Sequence, residues 1–134
     1  MENKNLIENK EIVNKYRQLL RVSKWSREKG DITVIRKAFE KAVDAHSQMR
    51  RKSGEPYIYH PIAVARIAAE EIGLGTTSIV CALLHDVVED TDVTLDDIRQ
   101  EFGEKEANII DGLTKISGVY DTNSPQAENF RKML

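Results

Sequence analysis

The sequence predicts an all-α fold, a compact bundle of about seven helices. Three observations predict it. Apolar residues recur at threes and fours along most of the chain, the spacing of helices with one face turned to a core. No stretch alternates convincingly between apolar and polar, as a half-buried strand does. Only three prolines and seven glycines punctuate the 134 residues, and they fall where the periodic runs stop.

Leu6, Ile7, Ile12, Val13, Tyr16, Leu19 and Leu20 set a first helix over roughly residues 5–22. Gly30 separates it from a second, for which Asp31 is a plausible N-cap. Val34, Ile35, Ala38, Phe39, Ala42, Val43 and Ala45 carry that helix to around Met49. A polar loop follows, Arg50 to Pro56. Pro61 suits the first turn of a third helix, which bears Ile62, Val64, Ala65, Ile67, Ala68 and Ile72 and stops at Gly73 and Gly75. Thr76 or Thr77 can cap a fourth helix that runs to about Val88. Thr94, with Asp97 three residues on, has the pattern of a capping box for a short fifth helix ending near Gly103. A sixth helix spans about Glu104 to Ile116. After the turn-rich stretch from Gly118, a seventh begins near Pro125, and Asn129 to Leu134 read as a helix still in progress.

Composition narrows the function. The length suits a single domain spanning 1–134. Twenty Lys and Arg against 22 Asp and Glu leave a formal charge of −2, so no global basic field exists to hold nucleic acid. The longest apolar run, Ile79 to Leu84, is far short of the roughly 20 residues that span a bilayer. No apolar signal core follows the N-terminal Met1-Glu2-Asn3-Lys4-Asn5. The lone Cys81 sits among apolar neighbours as a small core residue and has no partner for an internal disulfide. The expectation is a soluble cytoplasmic protein in a reducing compartment, with no membrane and no direct nucleic-acid partner.

The fourth helix breaks its own local rules. Ile79, Val80, Ala82, Leu83, Leu84, Val87 and Val88 point in almost every direction around its axis, the mark of a buried central helix. Yet its end carries His85, Asp86, Glu89 and Asp90. Burying carboxylates without partners is costly, and a helix C-terminus repels negative charge. A bound cation resolves both conflicts. His85 and Glu89 share one helical stripe and Asp86 and Asp90 the next, so a His-Asp pair can offer a nitrogen and an oxygen to one metal. The plain alternative is a hydrogen-bonded core histidine beside solvated end residues.

His60, before Pro61, stands extended at the mouth of the third helix and is a second candidate ligand, or else an ordinary helix-entry histidine. His46 reads as structural or surface. Arg50-Arg51-Lys52-Ser53-Gly54 gathers three cations beside a hydroxyl, a set suited to a phosphate or nucleotide, although a solvated basic loop is the commoner fate of such a run. Tyr57 and Tyr59 pack against a base or anchor the loop, and Trp25 packs the connection between the first two helices.

Arg51-Lys52-Ser53-Gly54-Glu55-Pro56-Tyr57-Ile58, His60-Pro61 and Leu84-His85-Asp86-Val87-Val88-Glu89-Asp90-Thr91 together closely resemble the hydrolase domain of the RelA/SpoT family, within the HD metal-dependent phosphohydrolases. The resemblance runs from about Ala45 through Leu134. It implies an all-helical domain that removes the 3′-pyrophosphate from guanosine tetra- and pentaphosphate, (p)ppGpp, leaving GDP or GTP. It implies Mn²⁺ as the metal. His60, His85 and Asp86 match three of its ligands, Glu89 and Asp90 match the charged pair beside the attacking water, and Arg51, Lys52 and Ser53 match the guanosine-binding loop. The ligand types alone suit Mn, Fe or Zn equally.

One departure stands out. The family supplies a further Asp ligand from a Leu-Ala-Asp-Arg-Leu-His-Asn-like segment, and nothing between Glu89 and Leu134 matches it; Asp111 lies in the wrong motif. The expectation is therefore a hydrolase domain incomplete at its C-terminal end, without the synthetase and regulatory domains, and weak or inactive by itself. Two rivals are an HD phosphohydrolase for another nucleotide and a non-catalytic helical regulatory domain. The Arg51 to Gly54 loop argues against the first, and the intact Glu89-Asp90 pair against the second.

Overall fold

A computed structural model of the chain describes residues 2–24, 28–72 and 75–119, with side chains over 6–24, 28–70 and 75–113. The described residues form six α-helices: α1 (Glu2–Val22), α2 (Asp31–Ala45), α3 (Tyr59–Ile67), α4 (Thr76–Asp90), α5 (Leu95–Phe102) and α6 (Glu104–Val119). One π-helical turn, Ala68–Ile72, prolongs α3. Among the described residues the sole β-type pairing is an isolated bridge between Arg50 and Pro56. The all-α expectation holds. The seventh helix and Trp25 lie outside the described residues, and α6 continues through Val119 rather than stopping at Ile116.

α4 is the axis of the bundle, packed against α2, α3 and α6, while α1 lies on α3 and α5 on α6. Its apolar residues do point in every direction: Ile79, Val80, Cys81, Leu83, Leu84 and Val87 are all buried. The neighbours present narrower stripes. Ile35, Ala38 and Ala42 form the inward face of α2, and Ile62 and Ala65 that of α3. Small alanines on these faces let α2 and α3 approach the central helix closely, and packing of this kind holds the rotation of each helix to a narrow range.

The helix ends differ in detail from expectation. Gly30, at φ 92°, is the N-cap of α2, a left-handed conformation that glycine adopts without a Cβ clash. Asp31 is the first helical residue instead. Its Oδ2 accepts from the Glu28 amide at 2.7 Å and from the Thr76 hydroxyl at 2.9 Å, tying the starts of α2 and α4 together. Thr76 is thereby used across the bundle, and Gly75 takes the N-cap of α4. α2 ends at Ala45, with residues 46–48 in turns and Met49 outside the helix. The Thr94 capping box is present, with Thr94 and Asp97 each accepting from the other's amide.

Candidate metal centre and its basic loop

The site lies where the last turns of α4 meet the start of α3. His60 is not extended, as expected from the proline after it, but is the second residue of α3. Tight turns, with the Tyr59 amide on the Pro56 carbonyl and the His60 amide on the Tyr57 carbonyl, wind the chain directly into the helix. Pro61 then falls in the first turn, where its missing N–H costs nothing.

This placement brings His60, His85 and Asp86 together, with one ligand atom of each within 4.8 Å of the others. His60 Nε2 is 3.7 Å from Asp86 Oδ2, and His85 Nε2 is 3.2 Å from Asp86 Oδ1. Asp86 is buried, and both histidines are half-buried. His85 Nδ1 lies 2.8 Å from the Ala82 carbonyl oxygen. A carbonyl only accepts, so the neutral ring carries its proton on Nδ1 and leaves the Nε2 lone pair open to a cation. A neutral imidazole nitrogen and a carboxylate oxygen 3.2 Å apart are two acceptors crowded together. A proton or a cation between them removes that repulsion. The donor set, two imidazoles and a carboxylate, therefore fits a divalent metal, and the Ala82 carbonyl is the kind of outer partner that orients a ligating histidine.

Burial holds His60 below the ordinary histidine value, and Arg51 and His85 push the same way against the pull of Asp86. A neutral ring is the form a metal ligand requires. Arg51 Nη1 sits 3.5 Å from His60 Nδ1.

The loop between α2 and α3 doubles back on itself. The Tyr57 amide donates to the Met49 carbonyl, the Arg51 amide to the Glu55 carbonyl and the Gly54 amide to the Arg51 carbonyl, at 2.8–2.9 Å. Gly54, at φ 94°, closes the turn in a conformation disfavoured for other residues. Arg51, Lys52 and Ser53 are exposed at its tip. Arg50 takes a separate direction and pairs with Glu8 of α1.

Glu89 and Asp90 are exposed on the final turn of α4. Asp90 joins the cluster through Tyr57, whose hydroxyl lies 2.8 Å from Asp86 Oδ2 and 3.2 Å from Asp90 Oδ2. Burial, reinforced by both carboxylates, pushes the Tyr57 phenol far above its ordinary value, so its hydroxyl stays a donor. From the sequence alone Tyr57 reads as a base-packing or loop tyrosine. Its position three before His60, at the entry to one helix, was the available signal. Beneath it lies His46, 2% exposed. Its Nδ1 is 3.1 Å from the Ala42 carbonyl, and its ring centroid is 4.7 Å from that of Tyr57.

Residues 38–134 match the family model described as HD domain. The chain is 42% identical over 116 residues to a probable GTP pyrophosphokinase of Mycobacterium leprae, covering 87% of this chain and 15% of that protein. It is 46% identical over 100 residues to a guanosine-3′,5′-bis(diphosphate) 3′-pyrophosphohydrolase of Aquifex aeolicus, covering 75% and 14%. With the bifunctional (p)ppGpp synthase/hydrolase SpoT of Escherichia coli K12 it shares 47% identity over 105 residues, covering 77% and 15%. The chain thus spans about one seventh of the length of these relatives. The helical bundle, the His60–His85–Asp86 cluster and the match over 38–134 place the chain in the HD domain family, among its RelA/SpoT-type members.

Proposed function

We propose that the chain is a metal-dependent (p)ppGpp hydrolase domain, removing pyrophosphate from the 3′ position of guanosine tetra- or pentaphosphate in alarmone turnover. The observation that carries it is the convergence of His60, His85 and Asp86 from two helices, beside a loop that projects Arg51 and Lys52. His60, His85 and Asp86 hold the metal, Mn²⁺ on the family resemblance. When bound, such an ion lowers the pKa of a water and polarises a phosphoryl oxygen.

The chain's own residues do the rest. Arg51 offers a planar fork to phosphate or a face to guanine, Lys52 a point charge and Ser53 a hydroxyl. For His60 to present Nε2 as a ligand its proton has to sit on Nδ1, and Arg51 then has to turn away from that nitrogen, which directs the guanidinium to an anionic substrate. Glu89 and Asp90 orient the attacking water and take its proton. One water is consumed, and pyrophosphate leaves. The setting is cytoplasmic: a single buried Cys81 suits a reducing compartment, and no helix of the described residues is long and apolar enough to cross a membrane.

The 134 residues contain no counterpart of the further Asp ligand that the family resemblance implies. As one domain short of that ligand, the chain should hold Mn²⁺ weakly and turn over slowly. The test is pyrophosphate release from ppGpp with Mn²⁺ or EDTA, alongside a panel of cyclic and deoxynucleotides. Slow, EDTA-sensitive release from ppGpp that disappears in His85→Ala and Asp86→Ala is expected. Preference for another nucleotide, metal-independent release, or absence of both Mn²⁺ binding and release defeats the reading.

A further inference from the structure

The hydroxyl of Tyr57 touches two carboxylates that the reaction uses differently. Asp86 is a buried member of the cluster, and Asp90 is an exposed acid one helical turn later. Both Oδ2 atoms converge on the same phenol oxygen, at 2.8 and 3.2 Å. One O–H carries one proton, so the shorter contact takes the stronger bond and the longer one shares it.

The phenol is held in place from several sides. At the backbone, the Tyr57 amide donates to the Met49 carbonyl at 2.9 Å, and the Tyr57 carbonyl accepts from the His60 amide at 3.0 Å. The ring lies against buried His46 at 4.7 Å between centroids and meets His60 edge-on at 6.0 Å. Asp86 has no comparable restraint. A carboxylate turns broadly about its last torsion. Its Oδ1 is 3.2 Å from His85 Nε2 without a hydrogen bond between them, and its Oδ2 is 3.7 Å from His60, beyond hydrogen-bond reach. Among the described residues, Tyr57 is the side chain at hydrogen-bond distance that donates to Asp86.

We propose that Tyr57 is a positioning residue of this site: its hydroxyl fixes the rotation of the Asp86 carboxylate, so that one oxygen faces each histidine, and tethers Asp90 beside it. The proposal rests on the reading of His60, His85 and Asp86 as metal ligands and adds an outer partner to them. Loss of such a partner typically costs 10- to 100-fold in metal affinity.

The test is Mn²⁺ alone, titrated calorimetrically into the EDTA-treated and dialysed chain, for wild type, Tyr57→Phe and His85→Ala, with each variant's melting curve recorded. Phenylalanine keeps the ring that packs on His46 and removes only the donor. Tyr57→Phe should melt within a few degrees of wild type yet bind Mn²⁺ at least about tenfold more weakly. His85→Ala should abolish binding. Wild-type affinity in Tyr57→Phe together with loss in His85→Ala overturns the positioning role and leaves the metal site standing. Wild-type affinity in His85→Ala overturns the metal-site reading itself.

Discussion

Arg50 forks onto Glu8, with Nη2 2.8 Å from Oε1 and Nη1 3.0 Å from Oε2, and Nη1 also reaches the Gly54 carbonyl at 2.7 Å. Three adjacent cations in the sequence are thus divided by direction. Arg51 and Lys52 stand at the loop tip, whereas Arg50 ties the base of the loop to α1, 42 residues upstream. A bidentate guanidinium–carboxylate pair fixes geometry as well as charge.

Removing that tie should loosen the loop without altering His85 or Asp86 on α4. Ordering a residue costs roughly 1–2 kcal/mol, and every 1.4 kcal/mol is about tenfold in affinity. Glu8→Ala should therefore raise KM for ppGpp roughly five- to thirtyfold and leave kcat within about a factor of two. Steady-state kinetics at saturating Mn²⁺ separate the two. A fall in kcat at unchanged KM contradicts the loop-anchoring role.

The start of α5 gives one prediction at neutral pH and one in acid. The Thr94 amide donates to Asp97 Oδ2 at 3.0 Å and the Asp97 amide to Thr94 Oγ1 at 3.1 Å. The hydrogen bonds from Thr94 hold the Asp97 carboxyl below its ordinary 3.8. A depressed acid contributes stability that is present above the unfolded value and lost as pH falls through the folded one. Thr94→Ala should cost about 1 kcal/mol at neutral pH. Asp97→Asn should flatten the stability curve below about pH 4 relative to wild type, in urea melts taken from pH 5 to 2.5. Parallel curves for the two proteins over that range would count against the box as an acid-labile cap.

Much of this architecture was legible because it rests on local periodicity. The all-round apolar pattern from Ile79 to Val88 located the central helix, and the acids at its end pointed to the candidate site. His60 does lie beside them, although in a helix rather than extended, since the turn at residues 56–60 is set by carbonyls that the sequence pattern does not show. What remained hidden depends on distant partners. Tyr57 looks like any loop tyrosine until α4 brings Asp86, 29 positions on, to its hydroxyl. Asp31 has the composition of a cap, but the Glu28 amide and the Thr76 hydroxyl claim its carboxylate.

Cys81 lies on the central helix at 3% exposure, and burial pushes its thiol up to about 12. The thiolate is the reactive form, so the folded protein presents almost none of it near neutrality. Ellman's reagent at pH 8 should label the native chain at a rate set by opening, and label it within seconds above the urea midpoint. Immediate labelling of the native protein would show that the α4–α6 packing around Cys81 is open.

His46 yields the complementary pH dependence. Burial lowers its pKa below the ordinary 6.5, against smaller upward pulls from the Ala42 carbonyl, Asp86 and Asp90, with His85 adding to the lowering. The folded state thus binds its proton less readily than the unfolded chain. Unfolding then takes up a proton between the two pKa values, so the stability is present above about pH 6.5 and declines as pH falls toward the folded value. His60, also lowered by burial, contributes with the same sign, so wild type alone does not isolate His46. The difference between wild type and His46→Gln does. With EDTA present, the wild-type free energy of unfolding should fall more steeply than that of His46→Gln from pH 7.5 to 5. Above pH 7.5 the gap should become constant. Equal slopes would mean that the ring beneath Tyr57 takes up its proton in the folded bundle as easily as in the unfolded chain.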